Sequence, residues 1–569
     1  MLQTSIPFPT ETVRKIFPSI KLSGLRPEED LLLSCAMTFR DEERKEKIFQ
    51  LLHQPLDWTY ILWQADRHGI LPLLYYHLDQ TSREWVPPDT LNQLQEYFDY
   101  NRQTNLWLTR ELLRLLDLFE KESIPVIPYG GLLLAESAYG EMANRQFPSL
   151  DIFIHREDVL KAKELLIKEG YHLSREMNTL KVSLYLESHY EYKFTHRLVQ
   201  LLVRLHWNIA PKYFSLSMDL ERLWNSRRFV SFAGKKIATF SSEDLLFFLC
   251  VYGSIYRWTS VSFITDISQC LAQGADMDWH EVLREAALKG AERIIFLGLY
   301  LSKTLLDAPV PEDVFERIQK EPAVKQLADP ISRCLFQSEK HRLPEGLKRR
   351  LFYFRLRERW QDKLKYLQRN LISTAPADGN RSYLPSFLSF LYPVINPVIR
   401  LFRIVFKYRL GFSEPVNKIA FEPSETDVVE RMLQLADVKT TDIVYDLGCG
   451  DGRIVIAAAK RYGARGVGID IDPERIRNAA ENARKEGVEN LVTFIQQDAL
   501  TADFSEATVV CLYMTFKWNQ EILPKLQAQL HPGVRVVSHV TVIGNWPPIK
   551  AEMISAKNES TRMIYLWQV

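Results

Sequence analysis

Apolar residues recur at helical spacing from about Glu28 to Asp117. Leu31, Leu32, Leu33 and Cys35 open one helix, Ile48, Leu51 and Leu52 mark another, and Leu106 to Leu118 reads as an amphipathic third. Leu71-Pro72-Leu73-Leu74 interrupts that pattern. At Ile124 the texture changes. I-P-V-I-P reads as a short strand, Tyr129-Gly130-Gly131 as a turn into a Leu- and Ala-rich helix, and S-L-D-I-F-I as a second strand ahead of a helix through Leu160 and Leu166. From Asp219 to Leu306 short strands (Phe229–Phe232, Lys236–Ala238) alternate with apolar helices. His206, Trp207, Trp224 and Trp258 fall among Leu at helical spacing, which predicts core packing rather than a ligand cage.

The pattern is most regular near the C-terminus. A helix through Val428, Met432 and Leu435 precedes I-V-Y-D-L-G-C-G-D-G-R-I-V-I-A-A-A, a strand at Ile443–Tyr445, a glycine turn and a helix over Arg453–Tyr462. Val467–Ile469 is a second strand ending at Asp470, and Pro473 opens the next helix, which runs to about Glu486. Further strands follow at Leu491–Gln496, Val509–Tyr513 and Val534–His539. A closing hairpin is expected from Glu552–Ala556 and Met563–Val569. Strand, glycine turn, helix and strand in this order predict a doubly wound α/β domain whose ligand sits at the carboxyl ends of the strands.

Composition narrows the possibilities. A chain of 569 residues should hold two or more domains. With 72 basic and 71 acidic residues, no global charge favours nucleic acid, so no nucleic-acid partner is expected. The six cysteines are scattered without a C-x-x-C pair, which argues against a structural zinc and a disulfide framework; no metal ligands are assigned. Cys449, inside the glycine turn, reads as a small side chain rather than a working thiol. The N-terminal M-L-Q-T-S-I-P-F-P-T lacks the basic and apolar runs of a signal peptide, and a cytoplasmic protein is expected.

The spelling of the turn selects its ligand. A dinucleotide loop reads G-x-G-x-x-G and seats a pyrophosphate. Here the turn is D-L-G-C-G-D-G, with Asp446 at the strand end and Asp451 inside the loop. Two carboxylates repel a phosphate but suit a ligand with an ammonium and a sulfonium. The loop resembles the S-adenosylmethionine signature of class I methyltransferases. That resemblance implies that Asp446 accepts from the methionine ammonium and that Gly448 and Gly450 admit the ligand to the backbone. Asp470 would take the ribose hydroxyls, and Asp498, with Ala499 alongside, the adenine amino group. The half from F-E-P-S through V-V-S-H is similar to bacterial relatives of the protein-lysine methyltransferases that modify the ATP synthase c-subunit and the adenine nucleotide translocase. It implies a protein acceptor, with Tyr513 and His539 as candidates to line its channel. Tyr513 could equally be packing. Relatives often carry acids after V-S-H, where this chain has V-T-V-I-G-N.

Residues 25–408 resemble a bacterial family of uncharacterised nucleotidyltransferases. The likeness is carried by the segment from Tyr129-Gly130-Gly131 through S-L-D-I-F-I, by Leu205-His206-Trp207 and by Ser242-Glu243-Asp244-Leu245-Leu246. The resemblance implies an α+β domain embedded in helices. Nucleotidyl transfer of this type holds Mg²⁺ between two or three carboxylates. Here the first aspartate of D-x-D is Ser149, the acid before L-H-W is Arg204, and the lysine before the glycine is Gly130. Only Asp151 remains, with a pairing to Arg204 as the expectation.

A basic, aromatic-rich helix is expected from Leu347 to Asn370, followed by a loop and an apolar segment broken by Pro385, Pro393 and Pro397. Such a segment over 347–410 fits either peripheral contact with a membrane interface or a hinge packed on the N-terminal half. The expected organisation is a helical region 1–120, a nucleotidyltransferase-like domain 121–375, a linker 376–412 and a Rossmann-like methyltransferase domain 413–569. The function expected is S-adenosylmethionine-dependent methyl transfer to protein lysine, fused to an inactive nucleotidyltransferase-like domain, with two alternatives: an active Mg²⁺-dependent nucleotidyltransferase with an accessory methyltransferase domain, or a scaffold without catalysis.

Overall fold

The computed structural model describes residues 25–38, 42–81, 83–147, 149–173, 182–196, 201–216, 218–273, 277–336, 345–372, 424–514, 516–543, 546–555 and 561–569. The expected linker 376–412, with its broken apolar segment, lies outside these residues.

Helices Pro27–Ser34, Glu42–Leu52, Trp58–Arg67, Leu71–Thr81 and Pro88–Lys121 build the N-terminal region. Leu71-Pro72 starts a helix rather than interrupting one. Pro72 sits in the first turn, where its missing N–H breaks no helical bond. A five-stranded sheet follows, from β1 (Val126–Pro128), β2 (Ser149–Ile154), β3 (Tyr171–Leu173), β4 (Glu191–His196) and β5 (Leu202–His206). Its order is β1-β2-β5-β4-β3, with only β2 and β5 parallel. The hairpin β6 (Arg228–Phe232) and β7 (Lys235–Thr239) forms as expected and leads into a helical layer running from Ser242 to Cys334. Trp207, Trp224 and Trp258 are buried as the core reading expects, but His206, although buried, ends strand β5 rather than lying on a helix and bonds to the Asp151 carboxylate.

The basic stretch forms two helices, Glu345–Leu356 and Trp360–Ile372, where one was expected. Tertiary contacts explain the break. The buried Arg357 guanidinium donates to the Phe214 carbonyl, Glu358 accepts from the backbone N–H groups of Glu292 and Arg293 at 3.1 and 2.8 Å, and Arg359 donates to the Ala287 and Leu288 carbonyls. Three consecutive side chains therefore reach neighbouring helix ends, which a continuous helix could not direct to these partners.

The C-terminal half is a seven-stranded sheet: β8 (Ile443–Leu447), β9 (Arg465–Asp470), β10 (Val492–Gln496), β11 (Val509–Leu512), β12 (Arg535–His539), β13 (Lys550–Ser555) and β14 (Thr561–Gln568). Its order is β10-β9-β8-β11-β12-β14-β13. The first five strands are parallel, β14 runs antiparallel to β12, and β13 pairs with β14 as the expected hairpin. Every strand on the sequence pattern is present, each bound within two residues of its expected end. The order reverses between β8 and β11, so β8 and its loop stand at the switch point where ligands bind. Helices Trp58–Arg67 and Pro88–Lys121 lie against β13, and buried apolar side chains run without a gap from Leu31 to Trp567.

Candidate methyl-transfer site

β8 is buried along its length because both sheet faces are covered, and this carries Asp446 to an almost fully enclosed strand end, 3% exposed. Burial is the largest effect on its carboxyl, and the nearby Asp470 and Asp451 add to it, pushing the group up to about 8. A buried acid with the Asp470 carboxylate beside it favours a cationic ligand and disfavours a phosphate.

The loop after β8 turns on three glycines with positive φ. At Gly448, φ is +96° and an added Cβ would stand 2.8 Å from the Met514 sulfur. At Gly452, φ is +81° and a Cβ would meet the Phe494 ring at 2.8 Å. Neither position admits another residue without displacing a neighbour. The Gly448 and Cys449 N–H groups both donate to the Ile469 carbonyl, which pins the loop to the end of β9. Burial raises the Cys449 thiol well above its ordinary value, consistent with packing rather than thiol chemistry.

Asp470 ends β9 beside this loop. Its Oδ2 accepts from the Gly450 N–H at 3.0 Å and its Oδ1 from the Asp472 N–H at 2.9 Å. The carboxylate thus holds the loop, while each oxygen keeps acceptor capacity for a hydroxyl. Asp498 follows β10, its Oδ1 accepting from the Leu500 N–H at 2.9 Å, and Ala499 is buried next to it. Registers Gln496↔Asp470, Leu447↔Ile469 and Leu512↔Leu447 bring Asp498, Asp470 and Asp446 to one edge of the sheet in that order. Asp446, Gly448, Gly450 and Asp470 are clustered at the loop, with Asp498 and Ala499 one strand further out.

Asp451 departs from expectation. Its carboxylate is forked by Arg453, Nε to Oδ1 at 2.9 Å and Nη2 to Oδ2 at 2.6 Å, so the loop's second acid is neutralised from within. The buried acid at the strand end and Asp470 remain to meet a ligand. The donor set fits S-adenosylmethionine: acid for the ammonium, hydroxyl acceptors for the ribose and side-chain-free backbone between them, while the two arginines at the site, Arg453 and Arg475, are turned to Asp451 and Asp470.

On the other side of the switch point, Tyr513 follows β11 and His539 ends β12. Their rings lie 4.2 Å apart between centroids. His539 Nδ1 is 3.0 Å from Ser424 Oγ, and the Ser424 carbonyl accepts from Arg453 Nη1 at 2.6 Å. Ser424, Arg453 and Met514 lie against these residues, which the sequence pattern does not reveal. Ser424 is visible there only as part of the segment leading into the first helix, and nothing in its spelling announces a histidine partner more than a hundred positions away.

The N-terminal half offers a second constellation. Asp151 and Arg204 stand directly opposite each other on β2 and β5. Arg204 Nε is 2.5 Å from Asp151 Oδ1, and Nη2 donates to Oδ2 at 2.7 Å. His206 Nε2 lies 3.1 Å from the same carboxylate, and Arg204 Nη1 donates to Tyr252 Oη at 2.5 Å. Burial opposes charge on Asp151, but Arg204 and His206 outweigh it and hold the carboxyl below its ordinary value. The guanidinium lies against the Asp151 carboxylate, and no cluster of three or more His, Cys, Asp or Glu side chains able to hold a metal occurs among the described residues. These residues do not fit Mg²⁺.

Comparison with known proteins matches two separate stretches of the chain. Residues 54–307 match the family model described as uncharacterised nucleotidyltransferase, and residues 446–550 match the ANTKMT methyltransferase domain. A protein-lysine N-methyltransferase of Saccharolobus islandicus is 41% identical over 155 residues, which are 27% of this chain and 96% of that protein. The Xenopus laevis lysine N-methyltransferase named for the ATP synthase c-subunit is 32% identical over 130 residues, 23% of this chain and 57% of that protein. Among solved structures, an RNA methyltransferase from Salinibacter ruber in complex with S-adenosyl-L-homocysteine is 49% identical, covering 26% of this chain and 94% of that one, with a TM-score of 0.25. The archaeal relative is matched almost from end to end, with the acid strand ends and glycine loop lying inside the matched family domain. Through this C-terminal half the chain belongs to the ANTKMT-type methyltransferase family and is an S-adenosylmethionine-dependent methyltransferase.

Proposed function

We propose that the protein transfers a methyl group to the side-chain amine of a lysine in a protein acceptor, and that its nucleotidyltransferase-like half is inactive as an enzyme. The observation that carries the lysine reading is the likeness, over 96% of its length, to a protein named for lysine methylation. In this reading residues 413–569 are the catalytic domain, 121–375 the nucleotidyltransferase-like domain, 1–120 a helical region and 376–412 the linker.

Bound S-adenosylmethionine supplies an electrophilic methyl group on a positively charged sulfur. Asp446 accepts from its ammonium, Gly448 and Gly450 let the backbone approach, Asp470 accepts from the ribose hydroxyls, and Asp498 with Ala499 borders the adenine. Methyl transfer is an in-line displacement, so alignment supplies most of the catalysis. A lysine ammonium, with an ordinary pKa of about 10.4, must also lose its proton before it can attack. Tyr513 and His539 stand on the side of the switch point away from Asp470 and are proposed to line the acceptor channel. The experiment is incubation of the full chain with labelled S-adenosylmethionine and poly-L-lysine, then with a protein mixture digested for mass spectrometry. Methyl-lysine is the expected product; label found only in RNA or on other residues overturns the acceptor.

The inactivity of the other half is supported by the Asp151–Arg204 pair. Incorporation of label from Mg²⁺-ATP into any partner would refute it. A peripheral membrane contact is proposed as well. Trp360, Leu364 and Leu367 fall at i, i+4 and i+7 on one helix and Leu347 and Leu351 at i, i+4 on the preceding one. All five are exposed, Trp360 by 70%, among Lys348, Arg349, Arg350, Lys363 and Lys365. Apolar stripes flanked by cations suit an anionic interface. No helix among the described residues is long and apolar enough to cross a membrane. Full-length protein that stays at the bottom of a flotation gradient with anionic liposomes rules the contact out.

A further inference from the structure

We propose that Ser424 is a positioning residue of the methyl-transfer site: it fixes the plane and tautomer of His539 and is itself clamped to the donor loop through Arg453. The inference rests on the reading of His539 as an acceptor-side residue. Ser424 Oγ and His539 Nδ1 lie 3.0 Å apart, and both side chains are buried, each 3% exposed. In so enclosed a place the hydrogen bond at Nδ1 bears directly on which ring nitrogen carries the proton. The assigned arrangement has Nδ1–H donating to Ser424 Oγ, which leaves the lone pair on Nε2.

The serine cannot drift independently of the loop. Arg453, the first residue of the helix after Gly452, donates through Nη1 to the Ser424 carbonyl at 2.6 Å while its Nε and Nη2 fork onto Asp451. One planar guanidinium therefore joins the glycine loop to the segment that carries Ser424.

The main chain at His539 is constrained from the other side. Val540 has φ +65°, a conformation a β-branched residue rarely adopts, and the Thr541 N–H donates back to the His539 carbonyl at 2.7 Å. Ser538 Oγ donates to the Thr541 carbonyl at 2.6 Å, and the buried Asn519 donates to it at 3.1 Å, holding this three-residue turn. Strain of this kind persists only where the surroundings impose it. The ring is thus fixed through its backbone by the turn and through Nδ1 by Ser424.

The chemistry balances through His539. Nε2 takes one proton from the acceptor ammonium; the neutral amine forms the new N–C bond as the methyl C–S bond breaks and its electron pair stays on sulfur. The products are a methylated ammonium and a thioether, and the imidazolium returns its proton to water.

The test uses the full chain labelled with nitrogen-15 histidine, the His539 signals being identified by their loss in His539→Gln. A neutral His539 protonated at Nδ1 is expected in the wild type, a mixed or reversed tautomer in Ser424→Ala, and restoration in Ser424→Thr. With poly-L-lysine as the acceptor probe, Ser424→Ala should lower kcat about tenfold, with KM for S-adenosylmethionine within about twofold, and Ser424→Thr should recover most of the rate. A wild-type His539 protonated at Nε2 overturns the proposal without recourse to any variant, as does a Ser424→Ala tautomer identical to wild type. If wild-type protein fails to methylate poly-L-lysine, the lysine reading falls while the tautomer still decides the role of Ser424.

Discussion

Tyr565, on the last strand, donates its hydroxyl hydrogen bond to the carboxylate of Asp66, on a helix near the start of the chain. This contact ties the closing hairpin of the methyltransferase sheet to the N-terminal helices. Burial, partly offset by the bond from Tyr565, pushes the Asp66 carboxyl up to about 6. A folded-state value above the ordinary one means that the protonated acid is the form the fold prefers. Its contribution is therefore fully present below about pH 4, the ordinary carboxylate range, and is lost as pH rises through about 6. Asp66→Asn should remove this part of the pH dependence and stabilise the chain by about 1 kcal/mol at pH 7.5 relative to wild type. Thermal unfolding at pH 4.5 and 7.5 checks it, the difference between the two pH values shrinking in the variant.

Asp446 makes cofactor binding a proton-linked event. Below about pH 8 its carboxyl, raised by burial and by Asp470 and Asp451, holds a proton that a cationic ligand must expel. Affinity for S-adenosylmethionine should therefore rise with pH up to about 8 and then level off. Calorimetry in buffers of different ionisation enthalpy should detect proton release at pH 7. Asp446→Asn should abolish both the release and the slope and weaken binding by about tenfold to a hundredfold, the loss of a charge-assisted hydrogen bond in a buried site.

The Asp151–Arg204 pair predicts an asymmetric response to mutation. Arg204→Met leaves a buried carboxylate without its main counter-charge and should cost about 3 kcal/mol, read from denaturant unfolding. Asp151→Leu combined with Arg204→Met removes both charges and should recover most of that loss. A double variant as unstable as the sum of the two single changes would show that the two charges do not stabilise one another.

How legible these features are in the chain differs from site to site, for physical reasons. β8, β9 and β10 can be read because each is a short run closed by an acid, Asp446, Asp470 or Asp498, so local sequence fixes both the element and its end; β11 and β12 are read from their runs of valine alone. The Asp151–Arg204 pairing can be anticipated because two substitutions in one motif change charge in complementary ways. β4 and β5 escape such a reading: E-Y-K-F-T-H and L-V-R-L-H are interrupted by charges, Lys193 pairing with Glu191 on its own strand and Arg204 with Asp151 across the sheet. The break at Arg357 to Arg359 is hidden because all three side chains bond to helix ends far away in sequence. Ser424 is hidden for the same reason, its histidine lying 115 residues further on. What sequence pattern cannot supply is the partner of a polar side chain once the fold has brought distant segments together.

Two glycines with similar backbone angles should respond very differently to alanine. Gly487, with φ +70°, ends the helix that starts at Pro473, and nothing lies within 4 Å of an added Cβ. Gly487→Ala meets only the intrinsic cost of that conformation, about 1 kcal/mol, and should leave cofactor affinity unchanged. Gly452, with φ +81°, stands at the start of the helix after the donor loop, and its Cβ would lie 2.8 Å from Phe494 and 3.0 Å from the Ala479 methyl. Phe494 is on β10, the strand that leads to Asp498, so relief of the clash must shift either the loop or the adenine side of the site. Gly452→Ala should therefore lose S-adenosylmethionine affinity by at least about tenfold beyond its stability cost, since misplacement of a preorganised site is expensive. Calorimetric titration alongside thermal unfolding separates the two, because Gly487→Ala sets the size of the backbone effect alone. Equal affinities in the two variants would mean that the close approach of Gly452 to Phe494 is relieved without moving the loop.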